Sequence, residues 1–266
     1  MDQLSIIVPC YNEEQTVELF YTEVEKMVQY MPDIQTDYLF VDDGSTDRTL
    51  EKVKELHVRD KRVKYISFSR NFGKEAAMYA GLEHVSGEYA VIMDADLQDP
   101  PMLLPEMLRI IREEQYDSVA TRRVTRKGEP PIRSFCARQF YHIMNKISDV
   151  ELMDGARDYR FMTRKYVNAV LSLKEFNRFS KGIFGWVGFR TKWLEFENQE
   201  RSAGETKWSF WKLVQYSLQG IVSFSETPLY MASVLGGGMC GVALLAIIFI
   251  IVRQLLFGGS AFGWPS

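Results

Sequence analysis

Two acidic side chains stand close together after an apolar segment in the first half of the chain. Residues 91–93 are Val, Ile and Met, and they lead directly into Asp94 and Asp96. In extended backbone, a spacing of two residues points both carboxylates the same way. Crowded carboxylates repel each other unless a cation lies between them, and their oxygens suit Mg²⁺ or Mn²⁺, which also bind substrate phosphates. We therefore predict a metal site that stabilises a departing diphosphate, with a polar turn as the alternative.

A third carboxylate follows directly after these two. Asp99 precedes Pro100 and Pro101. Aspartate is a preferred N-cap residue, and proline is common in the first turn of a helix. We therefore predict that Asp99 caps a helix that begins at Pro100.

A second acidic loop, residues 42–47, reads Asp-Asp-Gly-Ser-Thr-Asp and follows another apolar segment. Such sequences are common in turns, and Asp47 can cap the helix that is predicted to follow. Carboxylates at this place can also accept hydrogen bonds from ribose hydroxyls or from a base N–H. Taken alone, the loop leaves both interpretations open.

A third polar loop, residues 9–13, reads Pro-Cys-Tyr-Asn-Glu and follows the first apolar segment. Tyr11 can pack on a base, and Glu13 can accept a hydrogen bond from it. Together with residues 42–47, this loop favours a nucleotide pocket. A nicotinamide oxidoreductase is disfavoured, because such enzymes carry a glycine-rich turn after the first strand.

Alternating strand-like and helix-like segments position these loops. Apolar runs predict strands at residues 4–8, 38–41, 63–68 and 89–93. Helical spacing predicts helices at residues 14–31, 47–58, 75–85 and 102–114. This order predicts an α/β fold with a mostly parallel sheet covered by helices on both faces, and residues 122–158 receive no assignment. Because ligands bind beyond the carboxyl ends of such strands, we expect the three loops to converge at one edge.

Composition restricts the class of protein. The 266 residues carry a net charge of −3, which argues against a nucleic-acid partner. Cys10, Cys136 and Cys240 are widely spaced and predict neither a disulfide framework nor a zinc site. The N-terminus lacks the pattern of a signal peptide, so we expect the bulk of the chain to lie in the cytoplasm.

The C-terminal part differs in character. Residues 229–252 are 24 residues without a charged side chain. As a helix they reach roughly 36 Å, against about 30 Å of hydrocarbon in a bilayer, so we predict a transmembrane helix rather than a buried core helix. Residues 207–224 are rich in aromatic side chains, which fits either a helix in the membrane interface or a helix packed on the catalytic domain.

Several motifs together resemble a known family. Residues 6–13, 41–47 and 94–98 are similar to the family-2 glycosyltransferases of GT-A fold. Residues 69–74 (Ser-Arg-Asn-Phe-Gly-Lys), 158–162 (Asp-Tyr-Arg-Phe-Met) and 204–207 (Gly-Glu-Thr-Lys) narrow the resemblance to polyprenyl-phosphate glycosyltransferases and dolichyl-phosphate mannose synthases. The resemblance covers nearly the whole chain.

The resemblance implies roles for individual residues. It implies metal contacts at Asp94, Asp96 and Gln98, and phosphate contacts at Arg201 and Lys207. Catalytic roles fall on Asp158, Asp96 and Arg160. The implied nucleotide-sugar site comprises Pro9, Tyr11, Asn12, Glu13, Asp42, Asp43, Lys74, Asp94, Ala95, Asp96, Arg122, Arg201 and Lys207.

Asp158 matches a position often considered for a catalytic base. The second pKa of a phosphate monoester is about 6, so a phosphate acceptor is already largely dianionic at neutral pH and needs little deprotonation. We therefore hypothesise that Asp158 chiefly positions the acceptor phosphate or Arg160, with base catalysis secondary. The alternative is a structural salt bridge with Arg160 or Arg157.

A basic stretch lies between the predicted strands and the C-terminal part. It contains Arg122, Arg123, Arg126, Lys127, Arg133 and Arg138, interrupted only by Glu129. Such runs are usually solvated surface. The functional alternative is attraction to anionic headgroups and to a lipid phosphate.

These observations predict an enzyme anchored in the cell membrane. We expect a GT-A catalytic domain at residues 1–200, an amphipathic juxtamembrane segment at 201–228, a transmembrane helix at 229–252 and a loop at 253–266. Because related bacterial enzymes carry a second membrane helix, we expect this loop to lead into one, which makes the full-length protein multi-pass.

The predicted reaction is metal-dependent, inverting transfer of a hexose from a UDP- or GDP-linked sugar to polyprenyl phosphate at the cytoplasmic face. The expected partners are the nucleotide-sugar donor, polyprenyl phosphate and the lipid bilayer, and a homo-oligomer is allowed. Alternatives are transfer to another lipid or to a glycan hydroxyl, and a non-catalytic nucleotide-sugar binding protein.

Overall fold

Seven strands form one mixed sheet within the residues that the computed structural model describes. The described residues are 2–124, 131–148, 150, 152–175, 178–197, 218 and 220–258. The strands are β1 (Asp2–Cys10), β2 (Ile34–Asp42), β3 (Val63–Ser67), β4 (Tyr89–Ile92), β5 (Ser118–Arg123), β6 (Ala156–Thr163) and β7 (Thr191–Phe196). Their order across the sheet is β3-β2-β1-β4-β6-β5-β7.

The helices are α1 (Val17–Val28), α2 (Thr49–Arg59), α3 (Lys74–His84), α4 (Leu104–Glu114), α5 (Pro131–Ile147), α6 (Arg164–Ser172), α7 (Ser180–Trp186) and α8 (Thr227–Phe257). Of these, α1, α2 and α4 pack on one face of the sheet, and α3, α6 and α7 pack on the other. The predicted strands and helices of residues 4–114 are therefore confirmed, with ends that differ by a few residues. The unassigned residues 122–158 include the end of β5, helix α5 and the start of β6.

Two hydrophobic cores lie on opposite faces of β1. Leu4, Ile6 and Val8 pack with α1, α2 and α4, whereas Ile7 packs with α3, α6 and α7. Burial on both faces explains why residues 4–8 of this strand are apolar apart from Ser5. Helix α3 approaches β1 so closely that a Cβ atom at Gly81 would lie 2.2 Å from Ile7 Cγ2. This packing fixes α3 over the sheet, with its first residue at the edge where β3 ends.

The direction of β6 brings additional residues to the edge of the sheet at which the parallel strands β1, β2 and β4 end. β1 pairs in parallel with β2 and β4, but β6 runs antiparallel to both β4 and β5. Ile92, the last residue of β4, pairs with Arg160. The first residues of β6, including Arg157 and Asp158, therefore extend beyond the end of β4, next to the loops that follow the parallel strands.

The end of β4 corrects one expectation about the paired carboxylates. The strand ends at Ile92, so Asp94 and Asp96 lie in a loop rather than in extended backbone. Leu97, in the same loop, has a φ of 58°, in the left-handed region. The directions of the Asp94 and Asp96 side chains therefore do not follow the alternation of side chains along a β-strand, because the chain turns soon after β4 ends.

Helix α8 stands apart from the packed domain in composition. Within Thr227–Leu256, an 18-residue window has a mean hydropathy of 2.6, and none of that window is buried against the rest of the described chain. By length and composition this helix can cross a membrane. The predicted span, residues 229–252, lies within it. Of the predicted juxtamembrane segment 201–228, residues 201–217 and 219 lie outside the described residues.

Candidate active site

The loops after β1 and β2 are fastened to each other through Asn12. Its backbone N–H donates to Ser45 Oγ at 2.9 Å, and its Oδ1 accepts from the Thr46 N–H at 2.8 Å. Asn12 has a φ of 54°, a conformation that asparagine tolerates better than most residues. The predicted convergence of these two loops is therefore confirmed, and Asn12 is one of the residues that join them.

A cavity of about 510 Å³ opens beside the joined loops. Its lining includes Tyr11, Asp42, Phe68 and Arg70. Gly44 also lines it, with a φ of 67°, and a Cβ atom there would lie 2.4 Å from the backbone carbon of Arg70. The cavity therefore depends on glycine at this turn, because any side chain would displace the loop that forms the opposite wall.

Asp42 and Asp43 are both almost completely buried, but they face different partners. Asp42 accepts from the Ser45 N–H and the Ser67 hydroxyl, each at 3.1 Å, and it lines the cavity. Asp43 accepts from the backbone N–H groups of Phe72 and Gly73 at 2.7 and 2.9 Å. Burial raises the pKa of Asp43, against the opposing effect of these two hydrogen bonds. Asp43 therefore holds the loop before α3 in place.

Two residues of the first loop have structural contacts. Glu13 Oε2 accepts from the Thr16 hydroxyl at 3.0 Å, and the Glu13 N–H donates to Thr49 Oγ1 at 2.7 Å. Pro9 is a buried residue of β1 that pairs with Val41 of β2. Asp47 Oδ1 accepts from the Thr49 N–H at 3.0 Å, which is the capping role considered for it.

A network of opposite charges lies beyond the end of β4, centred on Lys74. Its Nζ is 2.6 Å from Asp94 Oδ1 and 2.5 Å from Asp158 Oδ2. Burial disfavours the charge of Lys74, but the two carboxylates outweigh it and hold the pKa well above its usual range. Burial likewise disfavours the charge of Asp158, but Lys74 and Lys181 hold its pKa well below its usual range. Asp158 is therefore ionised and is a weak base.

Asp99 belongs to the same network, and its predicted role as a helix cap is wrong. The helical turn Pro101–Leu103 has no side-chain cap hydrogen bond, and Asp99 Oδ1 instead accepts from Arg157 Nε at 2.8 Å. Asp99 is only 1% exposed, so a cationic partner stabilises it more than a helix terminus would. Burial raises the pKa of Asp99 to about 6, against the attraction of Arg157.

The salt bridges considered for Asp158 are not the ones that form. Arg157 lies against Asp99, with Nη2 also 3.9 Å from Asp94 Oδ2. Arg160 Nη1 donates to Ser118 Oγ and Tyr166 Oη, each at 3.1 Å. Lys74 is the partner of Asp158. The sequence did not indicate it because residues 74 and 158 are distant along the chain.

The paired carboxylates fit a divalent ion that is shared with a substrate. Asp96 is 6% exposed, and its Oδ1 accepts from the Gln98 N–H at 3.1 Å, while the intervening Ala95 is buried. In the described part of the chain, no group of three or more His, Cys, Asp or Glu side chains is placed to hold a metal. Magnesium is commonly held by one or two carboxylates together with substrate phosphates and water, so two hard oxygen donors suffice. Lys74 supplies positive charge to Asp94 in the same place.

The basic stretch is only partly described. Arg122 forms an ion pair with Glu195 and lies 3.1 Å from the sulfur of Met153. Arg138 is exposed on α5. Four basic residues with predicted roles lie outside the described residues: Arg126, Lys127, Arg201 and Lys207.

A second, smaller cavity of about 230 Å³ lies next to Asp158. Its lining includes Arg157, Arg160 and Lys181. Lys181 Nζ donates to Tyr141 Oη at 3.3 Å. Neither Lys181 nor Asp99 was predicted to act in the site, and no motif marks Lys181, because only the packing of α7 against β6 brings it there.

The chain is similar to several known proteins. Residues 5–171 match the profile of the family described as Glycosyl transferase family 2. The CsbB protein of Bacillus subtilis (strain 168) is 47% identical over 266 residues, covering 98% of this chain and 78% of CsbB. The bactoprenol glucosyl transferase of Shigella phage SfV is 36% identical over 264 residues, covering 99% of this chain and 85% of that protein.

A solved structure is also similar. It is the mannosyltransferase PcManGT from Pyrobaculum calidifontis in complex with GDP-Man and Mn²⁺, with a TM-score of 0.58 and 18% identity. The match covers 84% of this chain and 64% of PcManGT, so this chain spans less than two-thirds of the length of that enzyme. At this identity the likeness concerns the fold, and it agrees with the predicted GT-A architecture.

Proposed function

Because this chain belongs to glycosyl transferase family 2, we propose that it transfers a hexose from a UDP- or GDP-linked sugar to polyprenyl phosphate, with inversion at the anomeric carbon. Relatives named bactoprenol glucosyl transferase support the lipid acceptor, since they align with 99% of this chain. The product is a polyprenyl-phosphate sugar at the cytoplasmic face of the membrane.

The donor occupies the cavity that Tyr11 and Asp42 line, with the base against Tyr11 and the ribose near Asp42. This places the diphosphate towards Asp94 and Asp96, which would hold a Mg²⁺ or Mn²⁺ ion. When bound, such an ion neutralises charge on the diphosphate. The complex of PcManGT with GDP-Man and Mn²⁺, on a related fold, supports this arrangement.

The transfer is one displacement. A phosphate oxygen of the acceptor forms a bond to the anomeric carbon while the bond from that carbon to the diphosphate breaks. The electron pair leaves with the nucleoside diphosphate, and no proton needs to move, because the acceptor phosphate is already largely dianionic. Lys74 and Arg157 keep Asp94 and Asp158 fixed around the reacting atoms.

The ion pair between Asp158 and Lys74, at 2.5 Å, is the observation that carries this choice of acceptor. A hydroxyl of a glycan or of another lipid would need a general base, whose pKa should lie near the working pH. The pKa of Asp158 is instead well below its usual range, because Lys74 and Lys181 outweigh the effect of burial. Such a carboxylate suits positioning of a phosphate nucleophile and is poorly suited to accept a proton.

The membrane assignment is also part of the proposal. Helix α8 anchors the chain, with the catalytic domain of residues 1–200 in the cytoplasm and residues 201–228 at the membrane surface. The full-length protein is multi-pass. An anchored enzyme meets a lipid acceptor by diffusion within the bilayer, which fits the substrate proposed here.

A donor screen tests the proposal. Membranes that contain the full-length protein are incubated with radiolabelled UDP- and GDP-hexoses, Mn²⁺ or Mg²⁺, and polyprenyl phosphate. We expect label in the organic phase with one nucleotide sugar and its release by mild acid, as for a glycosyl phosphate. Label that appears only when polyprenyl phosphate is replaced by a neutral lipid or a glycan would contradict the proposed acceptor.

A further inference from the structure

The smaller cavity beside Asp158 has an unusual electrostatic character. We name it the cationic pocket and define it by Arg157, Arg160 and Lys181. Among the described residues, those that line it include no carboxylate, and its remaining walls are largely aromatic or apolar, with Tyr141, Phe184, Phe189 and Trp193 among them. A pocket of this kind attracts an anion, and apolar walls strengthen that attraction because they exclude water.

Arg160 carries a buried positive charge in this pocket without a neighbouring carboxylate among the described residues. Its side chain is 4% exposed and lies against Phe184 and Trp193, with its guanidinium carbon 4.6 and 5.3 Å from the ring centroids. Its hydrogen bonds go to neutral hydroxyls, and its buried Nε has no partner among the described residues. The described part of the chain offers it no carboxylate within 4.0 Å.

Burial without a counter-charge has an energetic consequence. Desolvation lowers the pKa of Arg160, since the charged form loses its hydration and gains no direct ion pair in return. A buried charge is costly unless a partner compensates it. An anion in the cationic pocket would supply the missing charge.

The size of the pocket indicates which anion fits. Drug-sized ligands occupy pockets of about 300–1,000 Å³. The cationic pocket, at about 230 Å³, is below this range, whereas the cavity beside Tyr11 is about 510 Å³. The larger cavity suits a nucleotide, and the smaller one suits a single phosphate group. Because Asp158 directly follows Arg157, an anion held there lies next to the charge network around Lys74.

We propose that the cationic pocket binds a phosphate monoester, namely the phosphate head of the lipid acceptor. This assignment rests on the proposed function. Arg160 is the buried counter-charge in the pocket wall, and Lys181, whose Nζ donates to the Tyr141 hydroxyl, adds a second charged hydrogen bond. The aromatic walls contact the first carbons of the lipid chain.

The test compares Lys181→Gln with a matched control, Lys174→Gln, which removes the same charge from an exposed position outside the pocket. The full chain is used in detergent micelles with farnesyl phosphate as acceptor. Loss of one charged hydrogen bond predicts a rise of about tenfold in the KM for farnesyl phosphate in Lys181→Gln. The KM for the nucleotide sugar should stay unchanged, as should both values in Lys174→Gln. An unchanged acceptor KM, or a rise in the donor KM instead, overturns the assignment.

Calorimetry separates this inference from the proposed function. Farnesyl phosphate, farnesol and inorganic phosphate are titrated into the wild type and Lys181→Gln. Binding of farnesyl phosphate that is weaker in Lys181→Gln, with no binding of farnesol, supports the pocket even if no sugar is ever transferred, in which case only the proposed function fails. Inorganic phosphate that binds as tightly as farnesyl phosphate overturns the lipid assignment and indicates a site for free phosphate.

Arg160→Lys provides a second variant in the same calorimetric experiment. It keeps a positive charge but loses the planar guanidinium, which lies against Phe184 and Trp193 beside the pocket. We expect weaker binding of farnesyl phosphate with the thermal midpoint and nucleotide binding retained. Binding equal to that of the wild type in a folded Arg160→Lys protein would overturn the role given to Arg160.

Discussion

Lys74 is the cation on which two half-buried carboxylates depend, and Lys74→Gln tests that dependence. Its Nζ lies 2.6 Å from Asp94 and 2.5 Å from Asp158, so glutamine leaves both without their nearest positive charge. Removing one partner of a buried ion pair costs about 3–5 kcal/mol. The Lys74 side chain is 29% exposed, and partial screening by water reduces the expected loss to about 2–3 kcal/mol.

The assay is thermal unfolding, with the full chain in detergent. For a domain of this size, about 2–3 kcal/mol corresponds to a fall of roughly 5–10 °C in the midpoint. Lys64→Gln is the matched control, since Lys64 lies 2.7 Å from Asp37 but is 58% exposed. An exposed pair contributes about 0–1 kcal/mol, so the control should lower the midpoint by no more than about 3 °C.

A double-mutant cycle makes the test specific to the pair. In Asp158→Asn, Lys74 remains beside Asp94, so we expect a smaller loss than in Lys74→Gln. Adding Asp158→Asn to Lys74→Gln should restore part of the stability, with a coupling of about 1.5–2 kcal/mol, because the uncompensated carboxylate is removed. Effects that add to within about 0.5 kcal/mol would refute the reasoning that Lys74 acts through Asp158.

Three further predictions concern residues around the same edge. Gly44→Ala should raise the KM for the nucleotide sugar at least about tenfold in steady-state kinetics. The reason is that alanine is strained at positive φ and that its Cβ would lie 2.4 Å from the backbone carbon of Arg70, which distorts the cavity. An unchanged KM contradicts the placement of the donor. Asp43→Ala should lower the free energy of unfolding in urea by about 3 kcal/mol, since two backbone N–H groups lose a charged acceptor, and a loss below about 1 kcal/mol refutes this. Asp99→Asn should change the pH dependence of stability. The folded pKa of Asp99, about 6, exceeds the unfolded value near 3.9, so its stabilisation is full below pH 4 and is lost as pH rises through 6. The midpoint of Asp99→Asn minus that of the wild type should therefore rise between pH 4 and 6.5, and a constant difference contradicts the raised pKa.

The elements of the first half were predictable because each has a simple pattern. Apolar runs such as residues 4–8 are strands buried on both faces, and the spacing of apolar residues marked α1 to α4. Connections between successive strands in such sheets are short and local, so the loops after β1 and β2 were correctly expected to meet. Sequence could not indicate that β6 reverses direction, because strand order is decided by tertiary packing.

The candidate site shows the same difference between what the local sequence indicates and what tertiary packing decides. Asp94 and Asp96 were identified from type and spacing, yet their loop geometry was not, since it depends on where β4 stops pairing. Asp99 was assigned to a helix cap on local grounds, whereas its partner, Arg157, comes from a strand 58 residues later in the chain. Local sequence patterns therefore identified the residues that can take part in chemistry, and long-range packing decided the contacts that each of them makes.

The proposed mechanism requires that sugar transfer depend on Asp94, Asp96 and a divalent ion. The decisive measurement is the initial rate at which labelled hexose enters polyprenyl phosphate in matched membranes that contain the wild type or the Asp94→Ala, Asp96→Ala double variant, each with Mn²⁺ and with excess chelator. We predict transfer only in the wild type with Mn²⁺, with at least about a hundredfold loss in the other three reactions. Transfer at the full rate in chelator, or in the double variant, would contradict the mechanism.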